Sequence, residues 1–481
     1  MAAVWKPLHG YEMVIGLEVH VELKTKTKIF CSCKTDFGAA PNTQCCPVCM
    51  GFPGTLPVLN QQVVHYAVLA GLATGCEITR FSKQDRKNYF YPDLPKAYQI
   101  SQYDLPLCVG GHLTIETPDG EKRIGITRIH IEEDAGKLVH DAEHGTLIDC
   151  NRCGVPLIEI VSEPDIRTPQ EAVAYLQKLR AVIAYTGVSD CKMNEGSLRC
   201  DVNLSIHKPS EPFGTRTEMK NLNSFQSVQK AIEEEYRRQV EAVEKGEVIV
   251  QETRRFDQTT GKTSSMRRKE NANDYRYFPD PDLAPIVTSD ETISAWKSEL
   301  PVLPDDRKAK YMADFGLTAY AAEQLVSDKA LAEYFEAACA NSRAPKVLGN
   351  LMITEIFRLL PPESAAIPIS PAHMGRLADM VEEGVISSGV AKRVIAALWE
   401  QDQDPDAWVE ANGLKQLNDE AALRAYAREA IAAHPDLVAG YHAGKQALSK
   451  ALMGAAMSLS SGKANPAKLQ QLMDEELKKG K

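Results

Sequence analysis

Two sets of side chains in this sequence have the types and spacings to do chemistry. The first is Cys31-Ser32-Cys33 followed by Cys45-Cys46-Pro47-Val48-Cys49. The C-x-C pair and the C-x-x-C pair of Cys46 and Cys49 can each chelate one ion from a tight turn, and four thiolates suit tetrahedral zinc. Cys45 is the spare, because adjacent cysteines do not easily aim at one metal. A closed four-thiolate site is structural rather than catalytic. Cys150 and Cys153 repeat the C-x-x-C spacing with no second pair near them in sequence, and they read as core thiols.

The second set is acidic. Glu18 and His20 alternate with Leu17, Val19 and Val21. Ile131-Glu132-Glu133-Asp134-Ala135-Gly136-Lys137 closes another strand with three acids. Glu159 interrupts the apolar run Pro156 to Val161, and Asp201 and Glu218 lie on a later strand pair. An acid inside an apolar run is costly unless it is paired or metal-bound. Taken singly, each acid is explained by a salt bridge to Arg128, Arg199 or Arg216. Taken as a set, the acids fit metal and phosphate handling, because Mg2+ takes oxygen ligands and bridges them to nucleotide phosphates. His20 is the weakest member; a hydrogen-bonded surface histidine accounts for it equally well.

These side chains need strands and turns to bring them together. From Leu17 to Leu23 the apolar residues share one face and Glu18, His20 and Glu22 the other, the period of a half-buried strand. Asn60 caps a helix that ends at Gly75. Thr168-Pro169-Gln170-Glu171 supplies an N-cap, a Pro at the first helical position and a capping-box acid, with Gly187 placed to stop that helix. Leu198, Cys200, Val202 and Leu204 face inward on one strand, leaving Arg199, Asp201 and Asn203 outward. Arg216, Glu218 and Lys220 alternate on the next, and the short Pro209 to Gly214 connection predicts an antiparallel pair. Strands, helix, strand pair and long helix in this order predict an α+β domain with a largely antiparallel sheet and a zinc-binding insertion. Pro-rich stretches at Phe278 to Pro285 and Pro301 to Pro304 separate it from an Ala-rich helical remainder. The expected division is an α+β domain over 1–294, an all-helical domain over 295–411 and a small helical tail domain over 412–481. Expected helices there are Ser327 to Cys339, Pro371 to Glu383, Asp419 to Ala433 and Pro466 to Lys479.

At 481 residues the chain is too long for one ordinary core. Its formal charge of -10 excludes a non-specific nucleic-acid binder, so any RNA must meet a basic patch on an acidic body. No stretch approaches a membrane span, and Met1 to Leu8 is too short and polar for a secretory leader, so a cytoplasmic location is expected. In a reducing compartment the 12 cysteines point to metal before disulfides. Gly261-Lys262-Thr263 resembles the end of a phosphate-binding loop, but Phe256 stands where the first Gly is needed; Gly261 reads instead as a hairpin turn. Asp85 to Tyr98 and Asn273 to Pro279 interleave aromatics with Arg and Lys. Such loops either stack a base and neutralise phosphate or pack, Pro-braced, on the sheet. Lys445, Lys450, Lys463, Lys468, Lys478 and Lys479 make the end of the chain its most basic region.

Several long runs resemble one family. Val14 to His20, Asp85 to Tyr98, Ile131 to Lys137, Leu157 to Asp165, Lys220 to Phe225, Asp274 to Pro279 and Gly462 to Pro466 are similar to the GatB family of the GatCAB tRNA-dependent amidotransferases. The similarity runs nearly from end to end, and a cradle form of the α+β domain over 1–294 follows from the resemblance. It implies an enzyme that binds misacylated Glu-tRNA(Gln), Asp-tRNA(Asn) or both, and uses ATP to phosphorylate the side-chain carboxylate. Ammonia then forms the amide. By the family pattern Glu18, His20, Glu133 and Glu159 hold Mg2+, and Asp201 and Glu218 complete the acidic surface. Lys137 and Arg199 are taken as candidate phosphate contacts. Cys31, Cys33, Cys46 and Cys49 fit the members that keep a zinc site. No cysteine sits in a Cys/His nucleophile setting and no Gly/Ser-rich amidase run is present, so a GatA amidase is expected to supply ammonia and GatC to brace the pair. The rival reading is a zinc-bearing tRNA adaptor whose acids are structural; it leaves the acids on several separate strands unexplained.

Overall fold

The computed structural model describes residues 5–141, 143–268, 272–361, 366–460 and 462–479. Met1 to Val4, part of the expected non-leader segment, lies outside the described residues, as does the side chain of Asn273. The chain forms two compact units, Met1–Leu303 and Pro304–Lys481.

The first unit opens with β1 (Glu12–Glu22), then α1 (Gln61–Ala73), the short β2 (Glu77–Ile78) and β3 (Phe81–Ser82), β4 (Asp85–Asn88) and β5 (Tyr98–Ser101). The long hairpin β6 (Cys108–Thr117) and β7 (Gly120–Glu133) follows, then a ribbon of β8 (Lys137–Asp141) and β9 (Gly145–Asp149), and β10 (Pro156–Ser162). After α2 (Pro169–Thr186) come β11 (Leu198–His207), β12 (Thr217–Leu222), α3 (Phe225–Glu244), β13 (Glu252–Asp257) and β14 (Lys262–Arg268). β15 (Phe278–Pro279), β16 (Ile286–Val287) and α4 (Asp290–Lys297) close it.

Nine strands make one sheet in the order β14-β13-β12-β11-β1-β10-β7-β6-β2, antiparallel throughout except between β12 and β13. β1 lies at its centre. Met13, Ile15, Leu17, Val19 and Val21 are buried on one face, where α1, α2 and α3 cover the sheet. The period-2 alternation therefore delivers Glu18, His20 and Glu22 to the opposite face. A smaller sheet, β15-β4-β5, joins the two aromatic-basic segments.

Local signals account for the helices. The Asn60 side chain accepts from the Gln62 amide, and that of Thr168 from Glu171 at 3.1 Å. Gly187, at φ 76°, ends α2. Asp257 accepts from the amides of Thr259 and Thr260 in a hairpin turned at Gly261, φ 69°, so that segment is no phosphate loop.

The compact first unit extends through Leu303. Trp296, Leu300 and Leu303 pack against its apolar core, which ties this stretch to the sheet rather than to the helices that follow. The second unit is helical, with two apolar clusters. One runs from Tyr311 to Val409, the other from Leu423 to Leu477. Its helices include Lys329–Cys339, Pro371–Glu382, Glu420–Ala433 and Pro466–Lys479, the first three capped by Asp328, Ser370 and Asp419.

Candidate functional site

Three clusters of potential ligands stand on the first unit: His20 with Glu132 and Glu159; Glu18 with Asp201 and Glu218; and Cys31, Cys33, Cys46 and Cys49. In each, the ligand atoms lie within 4.8 Å of one another.

The strand register builds the first. His20 on β1 lies opposite Glu159 on β10, and Glu159 opposite His130 on β7. Nε2 of His20 is 3.6 Å from Oε2 of Glu159, and Nε2 of His130 is 3.4 Å from the same oxygen and 3.3 Å from Oε1 of Glu132. Ser101 Oγ donates to Glu132 Oε1 at 2.7 Å and Gln99 Nε2 to Oε2 at 3.2 Å. Burial opposes ionisation of Glu159, but His130, then His20 and Lys87, outweigh it and hold the carboxyl well below its usual range. Burial likewise opposes the charged form of His130, yet the Glu159 charge beside it pushes the imidazole up to about 9. Two carboxylates are thus kept ionised in a buried place, the state in which they can bind a divalent cation.

Glu133, expected in this set, is elsewhere. A register shift between β10 and β7 puts Ile129 and Ile131 on the apolar face, so His130 and Glu132 face the metal-type site and Glu133 does not. Glu133 instead pairs with Lys96 and accepts from the Ile100 amide at 2.9 Å. The alternation of Ile129 and Ile131 is the sequence signal that separates Glu132 from Glu133.

The second cluster joins β1, β11 and β12, with Glu18 opposite Asp201 and Asn203 opposite Glu218. Asn203 Nδ2 donates to Glu18 Oε1 at 2.9 Å and Thr253 Oγ1 to Glu218 Oε2 at 2.8 Å. Lys220 pairs with Asp201 and lies 3.7 Å from Glu218. Burial works against the Lys220 charge, but Asp201 and Glu218 raise it above the ordinary lysine range. The strand alternation displays Lys220, but nothing local in the sequence marks its part in this cluster.

The two candidate phosphate contacts fare differently. Arg199 Nη2 is 2.5 Å from Asp134 Oδ2, so its charge is already met. Lys137 is exposed at the start of the β8–β9 ribbon and has no ion pair among the described residues.

The four cysteines close on one another, with 4.0 Å between Sγ of Cys46 and Cys49. Cys45 points away, its thiol donating to the Asn42 carbonyl at 3.3 Å. Lys28, which is fully buried, brings Nζ to 3.5 Å from Cys49 Sγ and donates to the Cys150 carbonyl at 3.3 Å. An ammonium buried beside sulfur fits an anionic thiolate set, the form that holds zinc. A cavity of about 120 Å³ separates this loop from Lys96 and Glu133. Gly154 stands between the two at φ 77°, a left-handed backbone conformation that glycine adopts without strain.

The aromatic-basic segments pack on one another beside the first cluster. Arg86 Nε is 2.8 Å from Asp280 Oδ2, its guanidinium lies 4.4 Å from the Tyr98 ring, and Tyr103 stacks on Tyr277 at 4.4 Å. Phe90 stays exposed.

Comparison with known proteins brings the chain beside one family. The GatB/GatE catalytic domain matches residues 13–294, and the GatB domain matches residues 333–477. The B subunit of the aspartyl/glutamyl-tRNA(Asn/Gln) amidotransferase of Caldicellulosiruptor saccharolyticus is 54% identical over 477 residues, covering 98% of this chain and 99% of its own. The same proteins of Caldanaerobacter subterraneus subsp. tengcongensis and Geobacter sulfurreducens are 52% and 51% identical, each over 98% of this chain and 100% of their own.

Proposed function

The chain belongs to the GatB/GatE family, and on that premise we propose that it is the tRNA-binding, ATP-using member of an aspartyl/glutamyl-tRNA amidotransferase. It acts with a GatA amidase and GatC. The reaction begins at the side-chain carboxylate of a misacylated Glu-tRNA(Gln) or Asp-tRNA(Asn). A carboxylate oxygen attacks the γ-phosphorus of ATP. The new O–P bond forms as the bond to the bridging oxygen breaks, and ADP leaves with the electron pair. Ammonia from GatA then adds at the acyl carbon and phosphate departs.

The observation that carries this reading is the convergence of His20, Glu132 and Glu159 from three adjacent strands, beside the trio Glu18, Asp201 and Glu218. The donor set fits Mg2+: carboxylate oxygens kept ionised, with one imidazole and room for water or phosphate in the remaining positions. Mg2+ held there would neutralise phosphate oxygens as charge develops. His130, Ser101 and Gln99 orient the Glu132 and Glu159 carboxylates. Lys220 and Asn203 do the same for the second trio. Glu133, with Lys96, lines the neighbouring cavity and is assigned a supporting role there.

Cys31, Cys33, Cys46 and Cys49 are proposed to hold a structural zinc, supported by their mutual approach and by Lys28. The second unit is proposed to comprise a helical domain and a small tail domain that contacts tRNA, in keeping with its two apolar clusters and the lysines near its end. No helix among the described residues is long and apolar enough to cross a membrane, and a place in the cytoplasm with the translation machinery follows from the reading.

The test is amidation by the three-protein complex with Glu-tRNA(Gln), ATP, Mg2+ and ammonium, which bypasses the amidase. Glu132→Gln is expected to abolish Gln-tRNA formation while tRNA binding survives. Full activity in that variant would sink the site assignment and favour the adaptor reading.

A further inference from the structure

We infer that Lys87 is a catalytic residue of the site described above, the cation that contacts the phosphoryl group as it passes from ATP to the carboxylate. The inference rests on the ATP-dependent reading just given and picks one residue out of the aromatic-basic run Asp85 to Tyr98, which the acid clusters do not include.

Position comes first. Lys87 lies on β4 directly opposite Gln99 on β5, and Asp85 directly opposite Ser101. Residues paired across an antiparallel ladder point to the same face. Gln99 and Ser101 both donate to Glu132, so the face that carries Lys87 is the one that meets the metal-type cluster. The ammonium is held by rings rather than by an acid. It lies 5.1 Å from the Tyr275 ring centre and 5.9 Å from that of Tyr89. These two rings sit edge to face at 5.8 Å. Cation–ring contacts fix an ammonium without spending its hydrogen-bond donors.

Three other cations near the acids are committed, whereas Arg128, on β7 opposite Val161, carries no ion pair among the described residues and its Nε is buried without a partner. Lys220 is bound to Asp201, Lys96 to Glu133 and Arg199 to Asp134. Lys87 has no carboxylate oxygen within 4.0 Å among the described residues. It nevertheless feels Glu132 and Glu159, whose charges hold it protonated against the cost of burial. Charge counting then gives it a role. Two carboxylates and one divalent cation sum to zero, which leaves the Lys87 charge unmatched in a half-buried place. An anionic phosphoryl group beside the metal supplies the missing partner. A fixed, pre-oriented cation of this kind lowers the barrier where negative charge meets negative charge, as it must when a carboxylate attacks ATP.

The experiment uses the complex with GatA and GatC, with ammonium as nitrogen donor. Lys87→Met is expected to lower kcat for ATP-dependent amidation by about 100-fold, with tRNA affinity unchanged. Lys87→Arg is expected to recover part of that loss. Unchanged kcat in Lys87→Met, alongside collapse in Glu132→Gln, overturns the role of Lys87 and leaves the site assignment standing. Full activity in both variants overturns the site assignment itself. A second measurement needs no variant: acetylation of Lys87 in the wild-type complex by an amine-reactive ester, followed by mass spectrometry. ATP with Mg2+ is expected to slow it at least several-fold. A rate indifferent to ATP overturns the contact.

Discussion

The carboxylate site and the cysteine site both bring their ligand atoms within 4.8 Å of one another, yet they are built in opposite ways. Cys31, Cys33, Cys46 and Cys49 come from one stretch of loop, each pair preset by a turn. His20, Glu132 and Glu159 come from three strands far apart in sequence, and only the sheet register makes them neighbours. A local site depends on which residues stand in its turns. A register-built site depends on which face each strand presents, and a shift of one residue along a strand removes a ligand altogether.

The largest expected effect is the sharpest test of that dependence. Glu132 and Glu133 are adjacent and both buried acids, but they face opposite ways. Glu132→Gln is expected to lower amidation by about 100-fold or more and to abolish Mn2+ binding, read by electron paramagnetic resonance titration. Glu133→Gln is expected to leave Mn2+ binding intact. Equal loss of the ion in both variants would break the comparison.

On the loop site the corresponding pair is Cys45 and Cys46. Cys46→Ser is expected to empty the site, measured as zinc content by elemental analysis. The unfolding temperature of the complex should fall by roughly 5–10 °C, since a kcal/mol shifts a unit of this size by about 2–4 °C. Cys45→Ser is expected to keep its zinc, because the Cys45 thiol is turned to the Asn42 carbonyl. Lys28 refines the point. Lys28→Met retains the four thiolates but removes the buried charge beside Cys49. Zinc should still be present on purification and be stripped by a chelator about 10-fold faster. Unchanged release would mean that the buried ammonium does nothing for the metal.

This contrast also explains what could be read from the sequence. The cysteine set needed only spacing. Helix caps at Asn60 and Thr168 and the hairpin at Gly261 are local chemistry too, and they appear where expected. The outward face of β1 was legible because its alternation is unbroken. At the end of β7 only the local pair Ile129 and Ile131 carried the signal, because a register shift upstream breaks the phase of the strand as a whole. His130 hid inside a strand read only for its acids. Lys87 and Lys220 gain their roles from cross-strand partners, and no local pattern reports those. The compact first unit extends to Leu303 because Trp296, Leu300 and Leu303 pack on the sheet core, while the match to the GatB/GatE catalytic domain ends at 294.

The smallest expected effect concerns the far end of the register-built face. Glu22 shares the outward face of β1 with Glu18 and His20, and Asp134 lies next to it past the end of β7. Burial, and then the Asp134 charge, push the Glu22 carboxyl up to about 8. Asp134 itself stays low: burial opposes its ionisation, but Arg199 and then Arg152 more than offset that. The pair therefore holds one proton between them, on Glu22. In the unfolded chain Glu22 returns to its ordinary value near 4.5. The native state thus binds a proton that the unfolded state has lost. Its stabilising contribution is complete below about pH 4.5, shrinks as pH rises, and is gone above about pH 8. Glu22→Gln keeps a donor toward Asp134 but cannot titrate. Its unfolding temperature, followed from pH 5 to pH 9, is expected to decline less than that of wild type, with the variant overtaking at the alkaline end. Parallel curves would mean that Glu22 is ionised in the native protein. Arg199 would then be neutralising both acids, and the crowding of carboxylates on this face would be relieved by cations alone.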